Sequence, residues 1–208
     1  MYRPLQYAVD ESSALHRVIE SFPFATIAVA TNGKIEFAYA PVVLSAAKGR
    51  CGGVRFHLAR ENPVAQAKGA EFYFSFRGPD AYVSPNWYRS SSMVPTWNYI
   101  TVEARGHGTV LDEMQLRDLL IDLSAQEEAK LAPKAPWTID KVPVDRRAAL
   151  MKAIVGFSVQ FDRLEGKFKL SQEKSDADRD GACAALIGRD DPGSMAVAAA
   201  MKTFRHRV

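Results

Sequence analysis

Cysteine is scarce in this chain. There are two, Cys51 and Cys183, with no CxxC spacing and no companion ligands beside them. That pattern argues against both a disulfide framework and a structural zinc site. The four histidines, His16, His57, His107 and His206, show no HxH or HxxxH spacing, so no metal centre is expected. No run of about 18 apolar residues occurs, and nothing reads as a membrane span. The start, MYRPLQYAVDESS, lacks a continuous apolar core behind its basic residue and does not read as a secretory signal. There is no GxSxG elbow, P-loop or GxGxxG, which leaves hydrolase, NTPase and Rossmann readings without support. A net charge of +3 is well short of a concentrated nucleic-acid footprint. What these absences leave is a cytoplasmic globular protein.

The 208 residues are 47% hydrophobic and 25% charged, enough to bury a real core. DESSALHRVIESF predicts a helix with Leu15, Val18, Ile19 and Phe22 on one stripe. FATIAVAT and KIEFAYAPVVL predict two strands joined by a tight turn at Asn32-Gly33. The alternation of Ile35, Phe37 and Tyr39 predicts that one face of the second strand is buried. VRFHLA is a third strand, and ENPVAQAKG a short helix with Asn62 as N-cap and Pro63 at its first position. AEFYFSF, with Phe72, Phe74 and Phe76 in phase, is followed by AYVSP and the long VPTWNYITVEARGHGTVL. Six strands with almost no room for crossover helices favour an antiparallel barrel or sandwich. DEMQLRDLLIDLSAQEE is a helix capped by Asp112, and DRRAALMKA another. IVGFSVQFDRLEGKFKL returns to strand, and the tail carries helical pieces around GACAALIG and SMAVAAAMKTF. The expectation is one α+β domain over 1–208, with a helical extension from about 172 to 208.

Three stretches carry candidate chemistry. SDADRDG copies the opening of a calcium loop, but the twelfth position, which needs a bidentate carboxylate, is Ile187. A solvated acidic loop is the better reading. HLARENP combines a strand end, a guanidinium and a helix N-terminus, the ingredients of a phosphate site. A plain strand-to-helix turn with a surface arginine accounts for the same residues. The span FRGPDAYVSPNWYRSSSMVPTWNYI crowds flat, polar-tipped rings together, as a core or as a wall for a planar ligand. In GKFKL, Lys167 and Lys169 alternate along a strand and could charge one face of the site, although surface lysines account for the same pair.

HLARENP, RGPDAYVSPNWY, VPTWNY and IVGFSVQFDRLEGKFKLSQ, in that order, resemble the PaiB family of FMN-binding negative transcriptional regulators. The resemblance implies a mainly antiparallel split β-barrel with peripheral helices, like that of pyridoxamine-phosphate oxidases. It also implies a homodimer with FMN in the seam between subunits. Carried over, His57, Leu58, Ala59 and Arg60 would face the phosphate and ribityl chain, with Asn62 heading the helix beside them. Tyr82, Ser84, Trp87, Thr96, Trp97 and Asn98 would line the pocket, and Lys169 would approach from the late strand. Where the family pattern continues KLSQ with asparagine, this chain has Glu173, a carboxylate that would oppose a nearby phosphate.

Two functions follow. One is a flavin-binding regulator acting with or without a DNA or protein partner, although no helix-turn-helix or arginine-rich helix is present to read an operator. The other is an FMN-dependent oxidoreductase, in which the flavin carries the electron chemistry. No residue stands out as a required acid or base, so no catalytic residue is assigned.

Overall fold

The computed structural model describes residues 1–31, 33–47, 49–67 and 69–204. In chain order the elements are β1 (Ala8–Val9), α1 (Ser12–Ser21), β2 (Phe24–Thr31), β3 (Lys34–Pro41), β4 (Val43–Leu44), β5 (Gly53–Ala59) and α2 (Pro63–Gln66). Then follow β6 (Glu71–Val83), β7 (Thr96–Val110), α3 (Glu113–Glu128), α4 (Val144–Lys152), β8 (Ile154–Gln160), β9 (Arg163–Lys169), α5 (Asp176–Gly188) and α6 (Pro192–Thr203). The class is α+β, and every strand pair with a defined register is antiparallel. The chain forms two compact units. One comprises 1–15, 77–102 and 165–208, the other 16–76 and 103–164.

The second of these units holds strands in the order β3-β2-β6-β7-β8-β5-β4. Its core is aromatic. Phe56 and Phe157 are paired across β5 and β8 and stack at 5.4 Å. Phe72 and Phe74 meet Phe56 edge-on at 5.7 and 5.6 Å. This ring cluster sets the phase of β3. The alternation seen in the sequence is real, but the buried face carries Ala38 and Ala40, while Ile35, Phe37 and Tyr39 are 65%, 58% and 64% exposed. Bulky rings from β5 and β6 take the interior volume, so β3 contributes only methyl groups there. Asn32 of the expected turn lies outside the described residues; Gly33 has the positive φ (73°) that such a turn requires.

α3 begins with a capping box: the Asp112 carboxylate accepts from the Gln115 N–H, and the Gln115 side chain accepts from the Asp112 N–H. Its Leu116, Leu119 and Leu123 pack with Met151 of α4 and with Val43, Leu111 and Ile154. Two strand boundaries differ from expectation. Gly78-Pro79 does not interrupt β6, which runs unbroken for 13 residues. The single late strand is instead a pair, β8 and β9. They part at Phe161-Asp162, where the two N–H groups donate to the carbonyls of Gly52 and Arg105.

In the other unit, β1 pairs with β9, and β9 also pairs with β7. α5 and α6 pack through Ala182, Cys183, Leu186, Val197 and Ala198, all buried. The small side chains allow the helices to approach closely. The buried Arg179 guanidinium of α5 donates to the carbonyls of Met201 (2.6 Å) and Phe204 (3.1 Å), satisfying groups that end α6. SDADRDG is not a loop. Ser175 caps α5, and Asp176 and Asp178 occupy its first turn, where carboxylates suit the helix dipole. No helix among the described residues is long and apolar enough to cross a membrane.

Candidate functional site

The unit built from residues 1–15, 77–102 and 165–208 contains the aromatic motifs. β6 ends at Val83. Ser84 then caps a single 3-10 turn, Pro85–Trp87, by accepting from the Asn86 N–H. Tyr82, on the last stretch of β6, meets Trp97 of β7 edge-to-face at 6.2 Å. Neither ring is core filler, since Trp97 is 53% and Tyr82 39% exposed. Trp87 is half-buried on the turn, and Tyr88 behind it is buried. The Lys169 ammonium of β9 donates to the Thr96 hydroxyl at the start of β7. Among the described residues no carboxylate pairs with it.

Next to Trp97 along β7, Asn98 belongs to a buried polar pair. The Asn98 amide donates to the Ser171 hydroxyl at 3.0 Å, and that hydroxyl donates back to the Asn98 carbonyl oxygen at 3.2 Å. Ser171 has φ 60°, a left-handed conformation that a non-glycine residue adopts only when its surroundings hold it. The buried Tyr88 hydroxyl makes no hydrogen bond among the described residues. Burial is the main cause that pushes its pKa up. Ser171 and Tyr88 lay inside motifs quoted from the sequence, but nothing in the sequence distinguished them from their neighbours.

Asp178 was missed altogether. It is 1% exposed. Its carboxylate accepts from the N–H groups of Arg89 (2.7 Å) and Ser90 (2.8 Å) and from the hydroxyls of Ser90 (2.7 Å) and Ser175 (2.8 Å). The Ser90 donors, backbone first, hold its pKa down at about 2. In sequence it looked like one aspartate of a solvated loop; only the fold brings Arg89 and Ser90 to it.

His57, Leu58, Ala59, Arg60 and Asn62 lie in the other unit. His57 pairs with Gly156, and directly paired residues share a sheet face. A Cβ at Gly156 would meet Leu116 and Leu111, so His57 lies on the face covered by α3. Its Nδ1 is buried with no hydrogen-bond partner among the described residues, and burial lowers its pKa, keeping the imidazole neutral at pH 7. Leu58 points to the buried face, and Ala59 is exposed. Arg60 is employed in the frame: its guanidinium donates to the carbonyls of Lys152 (2.7 Å) and Ile154 (2.9 Å). Its remaining edge borders a cavity of about 220 Å³ between α3, α4 and β8. Asn62 caps α2 through the Val64 N–H at 2.9 Å. α2 is a single turn, with little dipole to offer an anion.

The first group suits a ligand that is flat at one end and anionic at the other. It offers two partly exposed rings, hydroxyls on Ser84 and Thr96, and an ammonium with no carboxylate partner among the described residues. Such a donor set fits a flavin mononucleotide: rings for the tricycle, hydroxyls for the polyol and a cation for the phosphate.

Comparison with known proteins gives the same direction. Residues 1–163 match the family described as "Putative FMN-binding domain". The protease synthase and sporulation protein PAI 2 of Bacillus subtilis is 26% identical over 204 residues, spanning 97% of this chain and 97% of its own. An uncharacterized protein of Emericella nidulans is 29% identical over 221 residues, 87% of this chain and 88% of its own. Among solved structures, the FAD and heme binding protein from Mycobacterium smegmatis has a TM-score of 0.57 at 19% identity, covering 86% of this chain and 80% of that one. The flavocytochrome Anf3 from Azotobacter vinelandii has a TM-score of 0.56 at 15% identity, covering 81% and 72%. At these identities the likeness is one of fold, the mainly antiparallel split barrel.

Proposed function

This chain belongs to the family of FMN-binding domains, with FMN as its cofactor, and from that membership we propose that it is a cytoplasmic, homodimeric, flavin-loaded negative regulator of transcription. The observation that carries the regulatory reading is end-to-end similarity to a relative whose name ties it to protease synthesis and sporulation. Bound FMN supplies a redox-active ring system. The Lys169 ammonium and Thr96 hydroxyl hold its anionic end, while Tyr82 and Trp97 cover its flat face. His57 to Asn62 form a separate candidate segment, tested independently by substitution. Rings, hydroxyls and one ammonium are groups that hold and orient, which supports a binding role over turnover.

Pairing of two copies is supported by an open apolar face. Register puts Phe24, Thr26, Ala28 and Ala30 of β2 opposite Pro41, Tyr39, Phe37 and Ile35 of β3, and Tyr73 of β6 beside Ala28. Phe24, Ile35, Phe37, Tyr39 and Tyr73 on this face are all exposed. A contiguous apolar surface of this kind marks an association site. A second copy would cover it.

The test is an absorbance spectrum of the isolated protein together with its mass in solution. The expected result is a yellow dimer that releases FMN on heating. It should also retain a promoter fragment in a salt-sensitive way, alone or with a partner protein. Colourless protein that takes up no FMN on titration would remove the cofactor reading from this chain. Bleaching by NADH or NADPH with acceptor-dependent reoxidation, and no promoter retention, would replace the regulator with an oxidoreductase.

A further inference from the structure

Both aromatic motifs sit within the 163 residues matched by the family, yet what holds them in place lies beyond residue 163. The Asp178 carboxylate of α5 gathers four donors, three of them from Arg89 and Ser90, directly after Trp87-Tyr88. One turn further along α5, Gly181 lies under the same segment. A Cβ there would come within 2.3 Å of the Trp87 carbonyl oxygen, so only glycine lets helix and turn approach this closely. The second motif is held likewise. Asn98 is bonded by Ser171, and its amide also contacts the Met201 sulfur of α6 at 3.4 Å. The Lys174 ammonium, just ahead of α5, lies 5.9 Å from the Tyr88 ring centre.

We propose that Ser171 and the α5–α6 segment form a positioning frame for the flavin site, in which Asp178 and Gly181 fix the Pro85–Ser90 turn that presents Ser84 and Trp87. This rests on the reading of the aromatic group as the FMN site. The geometry explains why α5 departs from ordinary helix composition. A buried carboxylate costs solvation and a glycine in the helix interior costs helix stability, and both act on the same Pro85–Ser90 turn. The residues act through the turn and do not touch the cofactor. Their substitution should therefore change how FMN is held more than whether the chain folds.

The experiment is FMN titration of the apo full-length chain, with apo melting temperature and visible circular dichroism of the bound flavin recorded for each variant. Asp178→Ala and Gly181→Ala should each weaken FMN by about tenfold or more and alter the dichroic signature of the flavin. Asp178→Asn can still accept from the Arg89 and Ser90 N–H groups and should recover most of the affinity. Val197→Ala, in the buried α5–α6 contact away from the turn, serves as control. It should lower the melting temperature with affinity near wild type. Equal affinity in wild type, Asp178→Ala and Gly181→Ala overturns the frame. So does a loss in Val197→Ala that matches theirs at equal destabilisation. If Asp178→Ala does not fold, Gly181→Ala and Asp178→Asn decide the matter by the same criteria. If wild type itself binds no FMN, the underlying site reading fails first, and the frame with it.

Discussion

A carboxylate that accepts four hydrogen bonds is a proton-sensitive contact, and Asp178 makes a pH prediction possible. An unperturbed aspartate titrates near 3.9, whereas Asp178 is held at about 2 in the folded chain. The unfolded state therefore binds more protons between these values. Its contribution is fully present above about pH 4 and is lost as pH falls toward about 2. Asp191, which accepts from the Ser194 N–H at 2.9 Å and is also held at about 2, shares the window. Denaturant titrations of wild type and Asp178→Asn should thus differ in slope with pH over that range and run parallel above it. Lys169 gives a second residue-scale prediction. Replacing it with Met removes the ammonium beside Thr96 while keeping most of the stem. FMN affinity should fall about tenfold, roughly 1.4 kcal/mol, with the apo melting temperature little changed, as read by fluorescence titration and calorimetry. These two residues differ in legibility. Lys169 stood out as an alternating charge in a strand, whereas three of the four donors around Asp178 come from Arg89 and Ser90, nearly 90 residues away in sequence.

Elements were read well where periodicity and capping agree. Asp112 caps α3 as the sequence predicts, with Gln115 completing a capping box that the structure adds, and Asn62 caps α2 through its side chain. Boundaries failed where a local signal competed with the sheet. Gly78-Pro79 looked like a break, but β6 passes through it. The end of β8 carries no local signal, because Phe157, Val159 and Phe161 are all buried although the chain turns. HLARENP is the instructive element. Its residues have the chemistry of an anion loop, yet the Arg60 fork closes the α4–β8 junction by binding two carbonyls. Arg60→Ala should cost about 1 kcal/mol, given its exposure and the modest net value of such bonds. Amide exchange around Ala153 and Ile154 should quicken. Unchanged exchange there, with a large loss of FMN affinity, would instead return the arginine to the flavin.

At the scale of the whole molecule, the inverted phase of β3 supplies the face through which we propose that two copies pair. Aromatic rings fill the interior from β5 and β6, and the large side chains of β3 turn outward. Phe37→Glu leaves the aromatic core untouched and places a charge at the middle of the open face. The expected outcome is a folded monomer by light scattering with unchanged far-ultraviolet dichroism. FMN binding should fall with the dimer if the flavin is shared between subunits; a dimer that persists would move the interface elsewhere. By itself, the sequence carried the family and the flavin through the resemblance of four ordered motifs, and the α+β class through strand alternation, helix stripes and caps, which are short-range properties. Which face of β3 is buried, what Arg60 binds, and which residues hold the aromatic turn were decided only by tertiary structure. Each depends on how much volume and how many donors distant strands and helices bring to one place, and no local pattern records that.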